Sequence, residues 1–157
     1  VFVERKTLGR LGVDPTAPVV VSRRTNQEKE PWKSLPSIEN RVEAEFLHPI
    51  LLGESILPYR IFRPFEGVVP VTATGTILSS RAAADRGFGG LAGWMAKAEA
   101  AWDENKRSKK MKLTELFDYF GQLSAQFPLP KLRVVYAKAA IIPSRQVWLS
   151  RYRWSTV

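Results

Sequence analysis

The residues that could perform chemistry in this chain are few, and they are poorly placed for it. Carboxylates fall in close pairs at Glu28/Glu30, Glu43/Glu45 and Asp103/Glu104. Hydrolysis by a general acid–base pair needs one carboxyl held protonated in a dry pocket beside an ionised one. Pairs one or two residues apart in polar stretches are the pattern of solvated side chains, so a stand-alone hydrolase has little support. Gly87-Phe88-Gly89-Gly90 superficially resembles a cofactor loop, but such loops need a preceding strand to aim an anion at a helix N-terminus. The residues before it read as helix, so the glycines read as a helix break. Walker-type phosphate motifs are absent from the sequence. The lack of cysteine excludes a disulfide scaffold, thiolate metal sites and a cysteine nucleophile, and it fits a reducing compartment. One histidine, His48, excludes a multi-histidine zinc site within the chain. Lying between Leu47 and Pro49 in an apolar run, it reads as a packed, hydrogen-bonded residue. No catalytic residue, cofactor or metal is expected in these 157 residues.

What the chain does carry is positive charge. The formal net charge is +9, and it is uneven. Residues 1–40 hold seven Lys/Arg against five Asp/Glu, residues 41–100 six against six, and residues 101–157 eleven against four. A basic C-terminal third suggests a surface that faces a polyanion. Two clusters stand out. Arg23 and Arg24 lie near Lys29, Trp32 and Lys33; Lys106, Arg107, Lys109, Lys110 and Lys112 fall within seven residues after a helix. Cation-dense loops beside an aromatic suit phosphate contacts and base stacking. A solvated linker is the alternative for either cluster. Lys131, Arg133 and Lys138 would point away from the core on an otherwise apolar strand. Trp94 and Trp102 share a helical spacing with Ala and Leu and read as core, whereas Trp32, Trp148 and Trp154 are freer to make contacts.

The elements that would position these groups make an α+β domain: a small, mostly antiparallel sheet with one main helix (about 91–105) and one short helix (about 114–120). Leu91, Trp94, Met95, Ala98, Ala101 and Trp102 repeat at steps of three and four, which is one apolar helix face. Ser79 or Ser80 caps a short helical stretch before it, and Thr114 caps the short helix that ends at Gly121. Expected strands are 17–22, 46–52, a pair formed by 60–63 and 67–73 around Pro64, and 132–137. Thr74-Gly75 reads as a turn. Residues 37–45 read as a turn of helix or a direct lead into the 46–52 strand. Residues 1–22 read as a loose lead-in and first strand, 23–143 as the main domain, and 144–157 as a basic-aromatic tail. The first residue is Val, and the tail reads as the end of a truncated or frame-altered piece. The longest uncharged run, Gly67 to Ser80, is far short of the roughly 20 apolar residues a membrane helix requires, and no signal-peptide pattern opens the chain. Neither membrane partner nor secretion is expected; the expected location is the cytoplasm.

Four segments in order, RRTNQEKEPWKSLPS, VEAEFLHPILLGESILPYR, FGGLAGWMAKAEAAWDENK and FPLPKLRVVYAK, carry a resemblance. Together they resemble the C-terminal target-recognition region of bacterial N-6 adenine-specific DNA methyltransferases. More distantly they are similar to the specificity regions of type IIG restriction–modification enzymes. The shared pattern is an apolar-Pro element reaching Tyr-Arg (Pro49 to Arg60), a helix with Trp (Leu91 to Trp102) and a Pro-Lys-Leu-x-Val strand (Pro130 to Tyr136). The family's Asn/Asp-Pro-Pro-Tyr/Phe loop and its glycine-rich AdoMet loop are both missing here, so the resemblance implies a module without chemistry of its own. It implies duplex DNA as partner, with a methyltransferase catalytic domain or subunit beside it. The expected phosphate contacts are Lys106, Arg107, Lys109, Lys110 and Lys112, supplemented by Arg23, Arg24 and Lys33; Tyr59 and Arg60 would face a groove. The competing expectation is a structural or protein–protein domain docking on a methyltransferase core or another subunit.

Overall fold

Val19-Val20-Val21-Ser22 alternates half-buried and buried side chains, as a strand with one covered face must. In the computed structural model, which describes residues 2–7, 12–24, 28–57, 60–107, 110–135 and 151–153 (54 and 151–153 as backbone only), this segment is β2 (Val19–Ser22). It lies between β1 (Phe2–Arg5) and β3 (Glu39–Arg41). β4 (Leu47–Ile50) follows, then the short hairpin of β5 (Ile56–Leu57) and β6 (Arg60–Ile61), then β7 (Phe65–Val68). The main sheet has five antiparallel strands in the order β3-β2-β1-β7-β4. Three helices pack with it: α1 (Ser80–Asp85), α2 (Gly89–Asn105) and α3 (Leu113–Phe117). A separate two-stranded sheet joins β8 (Leu132–Val134) and β9 (Arg151–Arg153). The fold is α+β, with a mostly antiparallel sheet, one main helix and shorter ones.

The core lies between one sheet face and α2. Val3, Val20, Leu47 and Val68 from the strands meet Leu91, Trp94, Met95 and Ala98 from the helix, all under a tenth exposed. The register puts Asn40 on that same face, opposite Val20. Asn40 donates to the Gly90 carbonyl (3.2 Å), and its amide nitrogen lies where a Cβ on Gly93 would be, 2.4 Å away. A Cβ on Gly90 would meet the Arg41 carbonyl oxygen at 2.9 Å. The two glycines, three apart on one helix face, let α2 settle directly on β3. Lys97, one turn further, donates to the Glu39 carbonyl (2.7 Å). Ile38 and Val42 bond across to β2, so the carbonyls of Glu39 and Arg41 face the free edge, and α2 lies against it.

One ionic contact fixes this arrangement. α2 opens on Phe88-Gly89-Gly90, with no local side chain to accept from its first amides. Glu43, just past β3, supplies the acceptor: its two carboxylate oxygens take the N–H groups of Gly90 and Leu91, each at 2.8 Å. A carboxylate here satisfies two orphan donors and opposes the positive end of the helix dipole. α1 is capped by the Ser79 hydroxyl, which accepts from Ala82 (3.2 Å), and by Glu99 of α2, which accepts from the Ser80 amide (3.0 Å) and hydroxyl (2.5 Å).

Several expectations need correction. Residues 2–5 are not a loose lead-in; they form the central strand, and the boundary expected after residue 22 falls inside the sheet. Residues 37–45, expected as a turn of helix or a direct lead into the next strand, contain strand β3 and the start of a 3₁₀ turn. The strand expected from Phe46 begins at Leu47, because a 3₁₀ turn occupies Ala44–Phe46. Residues 60–63 pair with β5 and not with 67–73, and β7 ends before the buried Pro70, which has no N–H to extend a ladder. The short helix starts at Leu113, not after a Thr114 cap. Glu115 accepts from the Lys112 amide (2.9 Å) and closes its first turn. Glu43 is a helix cap and not a solvated carboxylate. The glycine break at 87–90 is where it was expected, with Gly87 at φ +84 between α1 and α2.

Removing the Glu43 carboxylate leaves two donors at the sheet–helix junction without an acceptor. Glu43→Ala is expected to lower stability by about 1–3 kcal/mol, and Glu43→Gln by less, read from urea unfolding midpoints at constant m-value.

Candidate nucleic-acid interface

The two basic clusters meet at one aromatic pair. Trp102 is half-buried on the C-terminal part of α2, and Trp32 stacks on it with ring centres 5.4 Å apart and planes 16° from parallel. The Trp102 indole N–H donates to the Met111 carbonyl (2.9 Å). The ring therefore holds the 28–36 loop on one side and the 106–112 connector on the other. Lys33 adjoins Trp32, and Lys110 and Lys112 flank Met111, so cations 77 and 79 residues apart in sequence lie on the two segments that meet at a single indole. Trp32 is thus a packing residue and not a free contact. Trp94, earlier on α2, is fully buried.

Beside this junction lies a cleft of about 390 Å³ between the start of α1, the C-terminal half of α2 and the connector. Arg81, Lys106, Lys110 and Lys112 line it, together with Glu99 and Asp103 and the hydroxyl residues Ser79, Ser80 and Thr114. Its acids are already engaged. Glu99 spends both oxygens on Ser80, and Asp103 pairs with Lys106 at 2.6 Å, whose side chain is only 16% exposed. Among the described residues, Arg81, Arg107, Lys110 and Lys112 form no ion pair. The cleft is thus a net cationic recess with hydroxyl donors at its rim, suited to phosphate oxygens.

The expected contact residues divide into three groups. Lys110 and Lys112 are exposed and line the cleft, Lys106 lines it while paired to Asp103, Arg107 is exposed next to Lys106, and Lys33 is exposed on the 32–34 turn. Lys109 and Tyr59 lie outside the described residues, as do Lys138, Trp148 and Trp154. The N-terminal arginines have other tasks. Arg24 donates to the carbonyls of Trp32 (2.8 Å), Leu35 and Pro36 (2.9 Å) and pairs with Glu28, so it holds the 28–36 loop together from within. Arg23 sits 5.2 Å over the Phe65 ring and pairs with Glu4 at 3.3 Å on the sheet. Arg60 is exposed on β6, and with Arg63 it flanks the Phe62 ring, at 6.0 and 5.0 Å. On β8 the expected facing is reversed: Leu132 and Val134 are 64% and 54% exposed, while Arg133 is half-buried and donates to the Gln126 carbonyl (2.9 Å).

Sequence reasoning missed Arg81 and Glu99. Arg81 follows a serine cap and reads locally as ordinary helix surface. Glu99 acts on Ser80, 19 residues earlier, and no local spacing signals that. His48 is packed as expected, with its ring edge-on to Phe127 at 5.8 Å, but its buried Nε2 finds no hydrogen-bond partner among the described residues. Those residues contain no helix long and apolar enough to cross a membrane and no group of three metal-ligating side chains. Compared with protein families, curated proteins and solved structures, the chain matches none.

Burial holds the His48 imidazole below its ordinary pKa, only partly offset by the hydrogen bond that its ring N–H donates to the Glu45 backbone carbonyl. In the unfolded chain the same ring protonates near its usual value of about 6.5. Unfolding therefore takes up a proton as pH falls through that range, and the folded state loses stability on acidification. The unfolding midpoint is expected to drop between about pH 7 and pH 5 by an amount that disappears in His48→Phe, read from thermal melts across that range.

Proposed function

We propose that this chain is a DNA-binding, target-recognition module of a DNA methyltransferase or restriction–modification system, positioning DNA for chemistry carried out elsewhere. The observation that carries the DNA-binding part is the cationic recess beside the Trp102 junction, lined by Arg81, Lys110 and Lys112, which form no ion pair among the described residues. The link to a methyltransferase rests on the sequence resemblance and on the order of its segments. In this reading the connector cations and Lys33 contact backbone phosphates, which fix register without reading sequence. Arg60 and Arg63, displayed around Phe62, are the described side chains best placed to supply arginine contacts to base edges.

A second reading has its own support. Leu129, Leu132 and Val134 expose apolar side chains on and before β8, a surface suited to docking on a methyltransferase core or another subunit. The two readings differ in their response to salt. With about four phosphate contacts, log affinity for duplex DNA is expected to fall against log salt with a slope of about −4. Lys110→Glu combined with Lys112→Glu should weaken binding at least tenfold at low salt and flatten that slope, with the circular dichroism spectrum unchanged. Salt-independent binding, or no binding together with self-association in sedimentation, selects the docking domain.

A further inference from the structure

Beyond α3 the chain does something costly. Phe120 adopts φ +55 and ψ +28, the left-handed region that a bulky side chain seldom enters, and its ring is 83% exposed. Backbone strain and an exposed large apolar group coincide at one residue. Strain of this kind persists only where the surroundings over-determine it, and here they do. The Asp118 carboxylate accepts from the amides of Leu123 (3.0 Å) and Ser124 (2.8 Å) and from the Ser124 hydroxyl (2.8 Å), knotting residues 118–124. Gly121 continues the left-handed turn at φ +68. The far end of the loop is anchored where Phe127 meets His48 and packs 3.5 Å from the Cβ position of Gly75. Tyr119, itself 51% exposed, backs the Phe120 ring at 4.3 Å.

The surroundings select the ligand. Between Lys106 and Val134 the sequence has seven Lys/Arg against two Asp/Glu, and the carboxylate of Asp118 is consumed by its own loop. α3 is five residues long, about 7.5 Å at 1.5 Å per residue, and it joins the connector that carries Lys112 to the loop that presents Phe120. A rigid aromatic presented in a positive field suits a flat, aromatic, polyanionic partner. It fits a membrane surface less well, since α3 is too short to lay an amphipathic face into lipid. We propose that Phe120, backed by Tyr119, stacks on an unpaired or extruded nucleic-acid base while the connector lysines hold the adjoining phosphates. This inference rests on the DNA-binding reading above and names the form of nucleic acid that this loop takes.

The test is a fluorescence titration of the full chain with two duplexes of equal length carrying 2-aminopurine, one fully paired and one with the probe in a single-base bulge. The chain is expected to bind the bulged duplex more tightly and to quench its probe. Phe120→Ala should weaken bulge binding about fivefold or more without altering affinity or salt slope on the paired duplex, and Phe120→Trp should restore both binding and quenching. Phe120→Gly, which relieves the left-handed strain, should raise the melting temperature while losing the bulge preference. Equal binding of the two duplexes by parent and Phe120→Ala, with a normal salt slope, overturns the stacking role and leaves the DNA reading standing. Absence of salt-dependent binding to either duplex overturns both. Loss of binding to phosphatidylserine vesicles in Phe120→Ala, with DNA binding unchanged, overturns stacking in favour of a membrane contact.

Discussion

The contact on which the rest of this structure depends is the carboxylate of Glu43 lying across the first amides of α2. A helix that opens on two glycines has little intrinsic reason to start where it does. Gly89 and Gly90 lower helix propensity, and Phe88 offers no acceptor. The acceptor comes from the sheet, so the start of the helix and its seat on β3 are settled by the same two hydrogen bonds. The glycines then permit the close approach that the cap requires. A larger residue at 90 would push the helix off the Arg41 carbonyl, and the cap would be out of reach. The glycine-rich stretch does aim a helix N-terminus at an anion, but the anion is the protein's own side chain.

From that seat the remaining geometry follows. With α2 fixed along the β3 edge, its C-terminal half carries Glu99 to the start of α1 and Trp102 to the meeting point of two loops. Trp102 performs two jobs that need different parts of an indole: the ring face receives Trp32, and the N–H donates to the Met111 carbonyl. This gathers positive charge into one place. The exposed ion pairs elsewhere, such as Arg5–Glu66 and Lys6–Glu39 on the sheet, neutralise charge locally and contribute little to stability individually. Lys106 pairs with Asp103, but Arg107, Lys110 and Lys112 of the connector have no such partners among the described residues, so uncompensated positive charge gathers there and not at the arginine pair near the N-terminus.

How much of this was legible in the sequence depended on distance along the chain. α2 was readable because Leu91, Trp94, Met95 and Ala98 repeat at the helical period over their own segment, and the α1 cap and the Thr74-Gly75 turn are equally local. β1 was not, because Phe2–Arg5 shows too little alternation, and what makes it a strand is pairing with residues near 20 and near 66. β3, with Glu, Asn and Arg, has no β propensity at all and is a strand only because β2 and α2 enclose it. The connector cations announced themselves as a run, and Arg107, Lys110 and Lys112 remain at the surface. The dispersal of Arg23 and Arg24 was invisible, since consecutive residues on extended chain were sent to different neighbours. Arg24 in particular reads as surface charge in any composition count, yet it is spent on three carbonyls of a single loop. The exposure of Leu132 and Val134 inverted the expected facing of β8, because an apolar strand is read as buried unless something says otherwise.

The two rims of the five-stranded sheet carry a consequence for how this protein can meet others. On the β3 rim, the outward carbonyls of Glu39 and Arg41 are occupied or overlaid by α2. On the β4 rim, the register turns Leu47 and Pro49 outward, and Pro49 has no N–H to offer. A foreign strand would find one border roofed over and the other lacking a donor, the arrangement that prevents intermolecular sheet growth. Recruitment by strand addition to this sheet is therefore closed off. A partner meeting this sheet must therefore be met by side chains, and those the domain leaves uncommitted are cations, a few displayed aromatic rings and the exposed aliphatic residues on and before β8.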